Sequence, residues 1–79
     1  MEQKMYIDVL ALWAKDGKII PKAIKVDGER HKIDRVISTR PASSLKTEQE
    51  GIRYTIQIGQ RQDFLFREGD RWYLSVRQS

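Results

Sequence analysis

The stretch Ile52-Arg53-Tyr54-Thr55-Ile56-Gln57-Ile58 decides the fold class of this 79-residue chain. Apolar side chains stand at every second position, and polar side chains occupy the positions between them. Successive side chains of a β-strand point to opposite faces, so this alternation is typical of a strand with one buried face. The stretch therefore predicts a strand that buries Tyr54 and Ile56 and turns its polar residues to the other side.

Two similar segments follow, each after a turn signal. Residues 62–67 come after Gly59, and residues 71–77 come after Glu68-Gly69-Asp70. Glycine adopts the positive φ that tight hairpin turns require, so both connections are predicted to be hairpins. The three segments together predict an antiparallel meander.

The first half of the chain continues the pattern less regularly. Residues 19–26 and 30–39 flank Asp27-Gly28-Glu29 and are predicted to form another hairpin. Pro21 lacks an N–H group, so it belongs at the start of its strand or on a sheet edge. Residues 6–14 fit either a strand or a helix, because their alternation is blurred; their short length and the following Asp16-Gly17 favour a strand.

Residues 40–51 form a longer connection without a strand pattern. Ser43 or Ser44 could cap a helical turn over residues 45–50. Long connections are either mobile surface or binding loops, so the segment from Pro41 to Glu50 is one candidate contact region.

Composition limits the fold to one small domain covering residues 1–79. Hydrophobic residues make up 39% of the chain and there is no cysteine, so one thin core must hold it without disulfides. We predict an all-β fold of five or six short antiparallel strands, curled into a small SH3-like barrel or a strongly twisted meander sheet. Such closure would protect the exposed edges of a small sheet.

Charge and hydropathy limit the partners and the cellular compartment that we expect for the protein. Fifteen Lys and Arg against eleven Asp and Glu give a net charge of +4, dispersed along the chain, which permits a phosphate or acidic partner without requiring one. A cysteine-free chain is consistent with a reducing compartment. No stretch approaches the length of a membrane span, and the N-terminal run lacks a signal-peptide cleavage pattern. We predict a cytoplasmic protein without membrane contact.

Catalysis and metal binding find little support in the residues. His31 is the only histidine, whereas a zinc site usually needs three or four Cys and His ligands, and one histidine would have to serve every catalytic triad. Its neighbours Glu29 and Asp34 suggest a metal or acid–base role, but a surface side chain at the start of a strand is favoured. The glycines are isolated, so no phosphate-cradling loop exists. We predict no catalytic residue, no metal and no cofactor.

Phe64-Leu65-Phe66 is the most specific indication of a binding surface. Three consecutive apolar residues in a strand point to both faces, so one side must reach solvent, an edge, a second core layer or a partner. The core needs Tyr54, Trp72 and one of the two phenylalanines. Arginines stand nearby in the sequence. The predicted partner-binding residues are Phe64, Leu65, Phe66, Arg53, Arg67 and Arg71.

Two functions follow from this surface. The first is a non-catalytic binding module that contacts a protein partner or a second copy of the chain. The alternative is a nucleic-acid-associated domain with a basic strand face, because aromatic and basic side chains together bind single strands in small β-barrels. The modest, dispersed charge predicts only weak nucleic-acid binding and favours the protein partner.

A spaced set of turn glycines and aromatics extends over about four-fifths of the chain. It reads Trp13-x-x-Asp16-Gly17-x-x-x-Pro21-x-x-Ile24-x-x-Asp27-Gly28, then Ile33-x-x-Val36, Gly51-x-x-Tyr54 and Leu65-x-x-Glu68-Gly69-x-x-Trp72-Tyr73. The set resembles a group of small Firmicute-type bacterial β-domain proteins of unknown function. The resemblance implies core aromatics in a β meander or small barrel, and a bacterial cytoplasm. It brings no catalytic residues.

Overall fold

The structure is a computed structural model that describes residues 2–43 and 50–77. Its strands are β1 (Glu2–Trp13), β2 (Ile19–Val26), β3 (Glu29–Lys32), β4 (Arg35–Ser43), β5 (Glu50–Ile58), β6 (Arg61–Glu68) and β7 (Arg71–Arg77). They form one antiparallel sheet in the order β3-β2-β1-β7-β6-β5-β4. The all-β prediction is confirmed, with seven strands in the described ranges instead of five or six. The strand prediction for residues 6–14 is also confirmed, and the helix alternative is wrong.

Three two-residue hairpins connect neighbouring strands where the sequence predicted them. Asp27 and Gly28 both have positive φ, 51° and 80°, as a type I′ turn requires. Gly59 and Gly69 each take the first turn position with φ of 60° and 59°, as in a type II′ turn. The meander of β5, β6 and β7 follows from the last two turns.

The short link between β3 and β4 makes the sheet curl. These strands lie at opposite edges of the sheet, yet only Ile33 and Asp34 connect them. Three Cα–Cα steps cover at most about 11 Å, so the two edges must meet. The Ile33 N–H donates to the Lys22 carbonyl of β2, and the Asp34 N–H donates to the Gln57 carbonyl of β5. The sheet is therefore a half-barrel joined at this corner, and the prediction of one strand over residues 30–39 is wrong.

Two β-bulges bend the strands that approach each other at this corner. Lys22 is the extra residue of β2 opposite the Leu10–Ala11 step, and Ile37 is the extra residue of β4. An extra residue bends its strand and increases the local twist. Pro21 precedes the first bulge and lies beyond the residues of β2 that pair with β3. On that side β2 is locally an edge strand, so the missing N–H of Pro21 breaks no hydrogen bond of the β-ladder.

The core fills the concave inner face of the half-barrel. Its buried residues are Ile24, Ile33, Tyr54, Ile56 and Leu65, with Ile7, Val9, Val26, Val36, Ile52, Ile58, Trp72 and Leu74 packed against them. Burial of Tyr54 and Ile56 is confirmed. Leu65 takes the core place expected for Phe64 or Phe66, so that expectation is wrong. Trp13 is 70% exposed, which contradicts its reading as a core aromatic.

Candidate functional site

Four aromatic side chains gather on the convex outer face of the sheet. Tyr6, Tyr73 and Phe66 are direct cross-strand partners on β1, β7 and β6. Residues opposite each other in antiparallel strands share a face, and the adjacent residues Ile7, Leu65, Trp72 and Leu74 belong to the core or pack against it. Phe64, two residues from Phe66, lies on the same face and is half exposed. We call Tyr6, Phe64, Phe66 and Tyr73 the outer aromatic cluster.

The central rings of this cluster stand on edge. The Phe66 and Tyr73 rings are nearly parallel, at 7°, with centroids 4.9 Å apart. This separation is about the spacing of the strands themselves. Rings lying flat on the sheet would overlap at such a distance, so the two rings stack against each other and turn their edges outward. Tyr6 packs against Tyr73 at 5.7 Å and 59°.

Cations lie over three rings of the cluster. The Arg71 guanidinium carbon is 4.0 Å from the Tyr6 centroid, and the Lys4 ammonium is 4.9 Å from that of Tyr73. The Arg53 guanidinium carbon is 4.8 Å from the Phe64 centroid. Attraction between a cation and a ring face holds each long side chain near the sheet. The outer face therefore presents ring edges bordered by positive charge.

Glu68 fixes one of these cations. Its Oε1 lies 2.5 Å from the Lys4 Nζ, and this hydrogen bond raises the pKa of Lys4. Burial raises the pKa of the Tyr73 hydroxyl beside it. Lys4 thus remains charged and Tyr73 neutral at physiological pH.

Arg53 is the least satisfied of the basic residues. Its Nε is buried and has no hydrogen-bond partner among the described residues. Its cross-strand partners are Phe66 on one side and Arg40 on the other. Like charges directly opposite each other in a sheet repel. The β4 side of the outer face therefore carries two adjacent arginines.

The structure divides the six predicted binding residues between the two faces. Phe64, Phe66, Arg53 and Arg71 meet on the outer face. Leu65 is fully buried beneath them, and supports that face without being part of its surface.

Arg67 is the other predicted residue that lies away from the outer aromatic cluster. On the inner side, its Nη1 donates to the Gly69 carbonyl at 2.7 Å and its Nε to the Tyr54 hydroxyl at 3.4 Å. Its guanidinium carbon is 5.9 Å from the Trp72 ring centroid. Arg67 therefore braces the inner face.

The predicted partner-binding residues did not include Tyr6, Tyr73 or Lys4. Tyr73 follows Trp72 directly in the sequence, and Trp72 points inward. Two adjacent aromatic residues in a strand point to opposite faces, as residues 64–66 do, so the sequence already indicated an outward Tyr73. Tyr6 stands in the same way beside Ile7. Lys4 had no local signal, because its partners Glu68 and Tyr73 belong to distant strands.

The structure also places the three residues considered for a metal or acid–base role, His31, Glu29 and Asp34. His31 lies in β3 with its Nε2 3.8 Å from the Glu29 Oε2, and Asp34 instead accepts a hydrogen bond from the Gly59 N–H. Among the described residues no three potential metal ligands of the His, Cys, Asp and Glu types come together.

The predicted connection over residues 40–51 is shorter than expected. β4 continues to Ser43 and β5 begins at Glu50, so the ends of this segment are strand. The expected helical turn falls mainly on residues 44–49, which lie outside the described residues.

In the ranges 2–43 and 50–77, no helix is long and apolar enough to cross a membrane. Comparison with protein-family models, with curated proteins and with solved structures gives no match for this chain.

Proposed function

We propose that this protein is a non-catalytic binding module whose outer aromatic cluster is the contact surface for another protein. The observation that carries the proposal is the edge-on stacking of Phe66 and Tyr73, with cations over the other two rings of the cluster, Tyr6 and Phe64. Aromatic and arginine side chains are enriched in protein interfaces, where they supply most of the binding energy. Phe64 and Tyr6 remain 51% and 44% exposed, which gives a partner two apolar anchors.

Ring orientation favours protein over nucleic acid, the alternative function. Single-stranded nucleic acids bind by stacking bases on exposed aromatic faces. The faces of Phe66 and Tyr73 cover each other, and Arg71 and Arg53 lie over Tyr6 and Phe64. A base would have to displace these contacts before it could stack. A protein surface needs only the ring edges and the aliphatic parts of the basic side chains.

Charge favours a heterologous partner over a second copy. Two outer faces brought together would oppose Arg53 and Arg71 with the same positive residues of the other copy. Like charges across an interface cost several kcal/mol when they are desolvated, about as much as a weak interface provides. The partner is therefore an apolar surface with carboxylates at its rim. The cytoplasmic, bacterial setting expected from the sequence stays part of this proposal.

Site-specific photo-crosslinking tests the proposal directly. A full chain with p-benzoylphenylalanine in place of Phe64 would be expressed in the source cells, irradiated, and separated by mass. We expect a discrete protein adduct. The matched control carries the same photoreactive residue in place of Gln60, at the tip of the β5–β6 turn, and should give none.

One further variant determines whether the adduct reports this surface. Tyr6→Ser in the crosslinking chain should abolish the adduct while the thermal melt stays close to that of the parent. Adducts with nucleic acid, equal adducts from the Gln60 position, or no adduct at Phe64 would each contradict the proposal.

A further inference from the structure

The Arg40–Arg53 pair is the feature of the outer face that protein contact in general does not explain. The two residues are direct cross-strand partners in β4 and β5. Placing like charges opposite each other is unfavourable, and natural sheets usually put an opposite charge or a neutral residue there. None of the ion pairs found among the described residues includes either arginine.

The sheet neighbours leave no local counter-charge on the described strands. Arg53 is flanked across the strands by Phe66 and Arg40, and Arg40 pairs with Arg53 alone because β4 is an edge strand. Glu68, the nearest acidic residue along β6 on this face, is already bound to Lys4. Within the described ranges, no acidic side chain compensates the repulsion between the two arginines.

The Nε of Arg53 adds an independent observation. It is buried without a hydrogen-bond partner within the described ranges, and a buried unsatisfied donor costs about 1–3 kcal/mol. Such a group in a native structure calls for an explanation, and a bound ion is one of them. The guanidinium carbon lies over the Phe64 ring at 4.8 Å from its centroid, and this attraction restrains the side chain near the sheet. A planar fork held in this way matches the two oxygens of a carboxylate.

We propose that Arg40 and Arg53 form an anion-binding subsite that receives the carboxylates of an acidic segment of the partner protein. This inference rests on the proposed function, because the subsite adjoins the outer aromatic cluster. An acidic segment crossing β4 and β5 would neutralise both guanidinium groups, and its apolar neighbours would reach Phe64 and Phe66. The subsite thus selects partners by acidic residues next to an apolar one.

Poly-L-glutamate is a suitable probe, since its side chains carry the proposed carboxylates on a peptide backbone. Binding to the full chain would be followed by fluorescence anisotropy of labelled polymer at low salt. Arg40→Gln and Arg53→Gln should each weaken binding about tenfold. Arg30→Gln removes the same charge from β3, away from the subsite, and should change binding less than about twofold.

Two more measurements distinguish loss of the subsite from unfolding of the variant and from loss of positive charge alone. Arg40 is exposed and lies opposite Arg53, so Arg40→Gln relieves the repulsion, should melt at or slightly above the wild-type temperature, and remains informative if Arg53→Gln unfolds. Arg53→Lys keeps the charge but lacks the fork, and should recover less than half of the lost affinity.

Three outcomes would overturn the subsite. The first is equal weakening by Arg30→Gln, which would mean attraction to net charge only. The second is full affinity in Arg40→Gln. The third is tighter, equally arginine-dependent binding of a single-stranded oligonucleotide of the same charge, which would assign the pair to phosphates. A Phe64 protein adduct that persists beside any of these results would leave the proposed function standing. Loss of the adduct alone would remove the proposed function and, with it, the assignment of the acidic segment to a protein partner, while arginine-dependent poly-L-glutamate binding would still support an anion-binding pair.

Discussion

The Asp34 carboxylate accepts a hydrogen bond from the Gly59 N–H at 2.6 Å, and thereby ties the β3–β4 corner to the β5–β6 turn. The Asp34 N–H donates to the Gln57 carbonyl of the same β-hairpin. Asp34 therefore bonds to β5 and its turn through both its side chain and its backbone. A residue that suggested a metal or acid–base role in the sequence is a structural brace in the fold.

Removing this brace should destabilise the domain measurably. Asp34→Ala should lower the free energy of unfolding by about 1–2 kcal/mol, because hydrogen bonds to charged acceptors exceed neutral ones. Urea denaturation of the two proteins measures the difference. Asp63→Ala is the control, since Asp63 pairs only with exposed Arg61 two residues away and should cost about 0.5 kcal/mol or less. Equal losses in both variants would contradict the assigned role.

Core truncation should separate the two faces of β6. Leu65 is fully buried, so Leu65→Ala should cost about 2–5 kcal/mol, a large share of the stability of so small a domain. Phe64→Ala, on the outer side of the same strand, should cost less than about 1 kcal/mol. Thermal melts of both variants provide the comparison. A larger loss for Phe64→Ala would mean that the faces have been assigned the wrong way round.

The stack of Phe66 on Tyr73 should appear as coupling between the two residues. A double-mutant cycle with Phe66→Leu and Tyr73→Leu should give an interaction energy of about 0.5–1.5 kcal/mol beyond the area buried. Chemical denaturation of the four proteins supplies the cycle. Strict additivity would show that the rings do not interact.

Stability should decline in alkali through Lys4 and Tyr73. The pKa of Lys4 is raised by its bond to Glu68, so its contribution is complete below its ordinary pKa of 10.5 and is lost above it. Burial raises the pKa of Tyr73 above its ordinary 10.0, so at higher pH the unfolded chain releases a proton that the folded chain retains. Both effects favour unfolding as pH rises beyond about 10.

Melting temperatures between pH 8 and pH 11.5 measure this decline. Tyr73→Phe and Lys4→Gln should each reduce its steepness, and together they should reduce it further. A wild-type curve that stays flat over this range, or variants that fall as steeply as wild type, would contradict the assignment.

The nucleic-acid alternative predicts a distinct salt dependence. Binding through three or four phosphates of a single strand would give a slope of about −2 to −3 in log affinity against log salt. Since the ring faces are covered, we expect binding to mixed oligonucleotides to be weak even at low salt. Micromolar binding lost on Arg53→Gln and Arg71→Gln, with melts unchanged, would favour the alternative.

Local chemistry explains the parts of the fold that could be predicted. The alternation over residues 52–58 needs only one buried face, and Asp27-Gly28 needs only a turn with positive φ. The corner at Ile33 and Asp34 had no such signal, because residues 30–39 contain no glycine or proline. It bonds to Lys22 in β2 and Gln57 in β5, the strands next to the two opposite edges of the sheet. No local sequence pattern indicates these two hydrogen bonds.

The same division holds for the candidate site. Phe64 and Phe66 could be predicted as part of a candidate binding surface because Leu65 lies between them. Consecutive apolar residues in a strand point to both of its faces. Tyr6 and Tyr73 become neighbours only through the β1–β7 register, which joins the beginning and the end of the chain. A single sequence does not fix which residues of two such distant strands pair.

That β1–β7 pairing also has a consequence for how the protein folds. Hairpins such as β5–β6 close within microseconds, whereas the pairing of Tyr6 with Tyr73 must first close almost the whole chain into a loop. We therefore expect it to be among the last steps. The outer aromatic cluster is complete only when this step is finished, so a partially folded chain would present no binding surface. A partner that recognises the cluster would bind finished molecules alone, and mass action would then hold the first and last strands together.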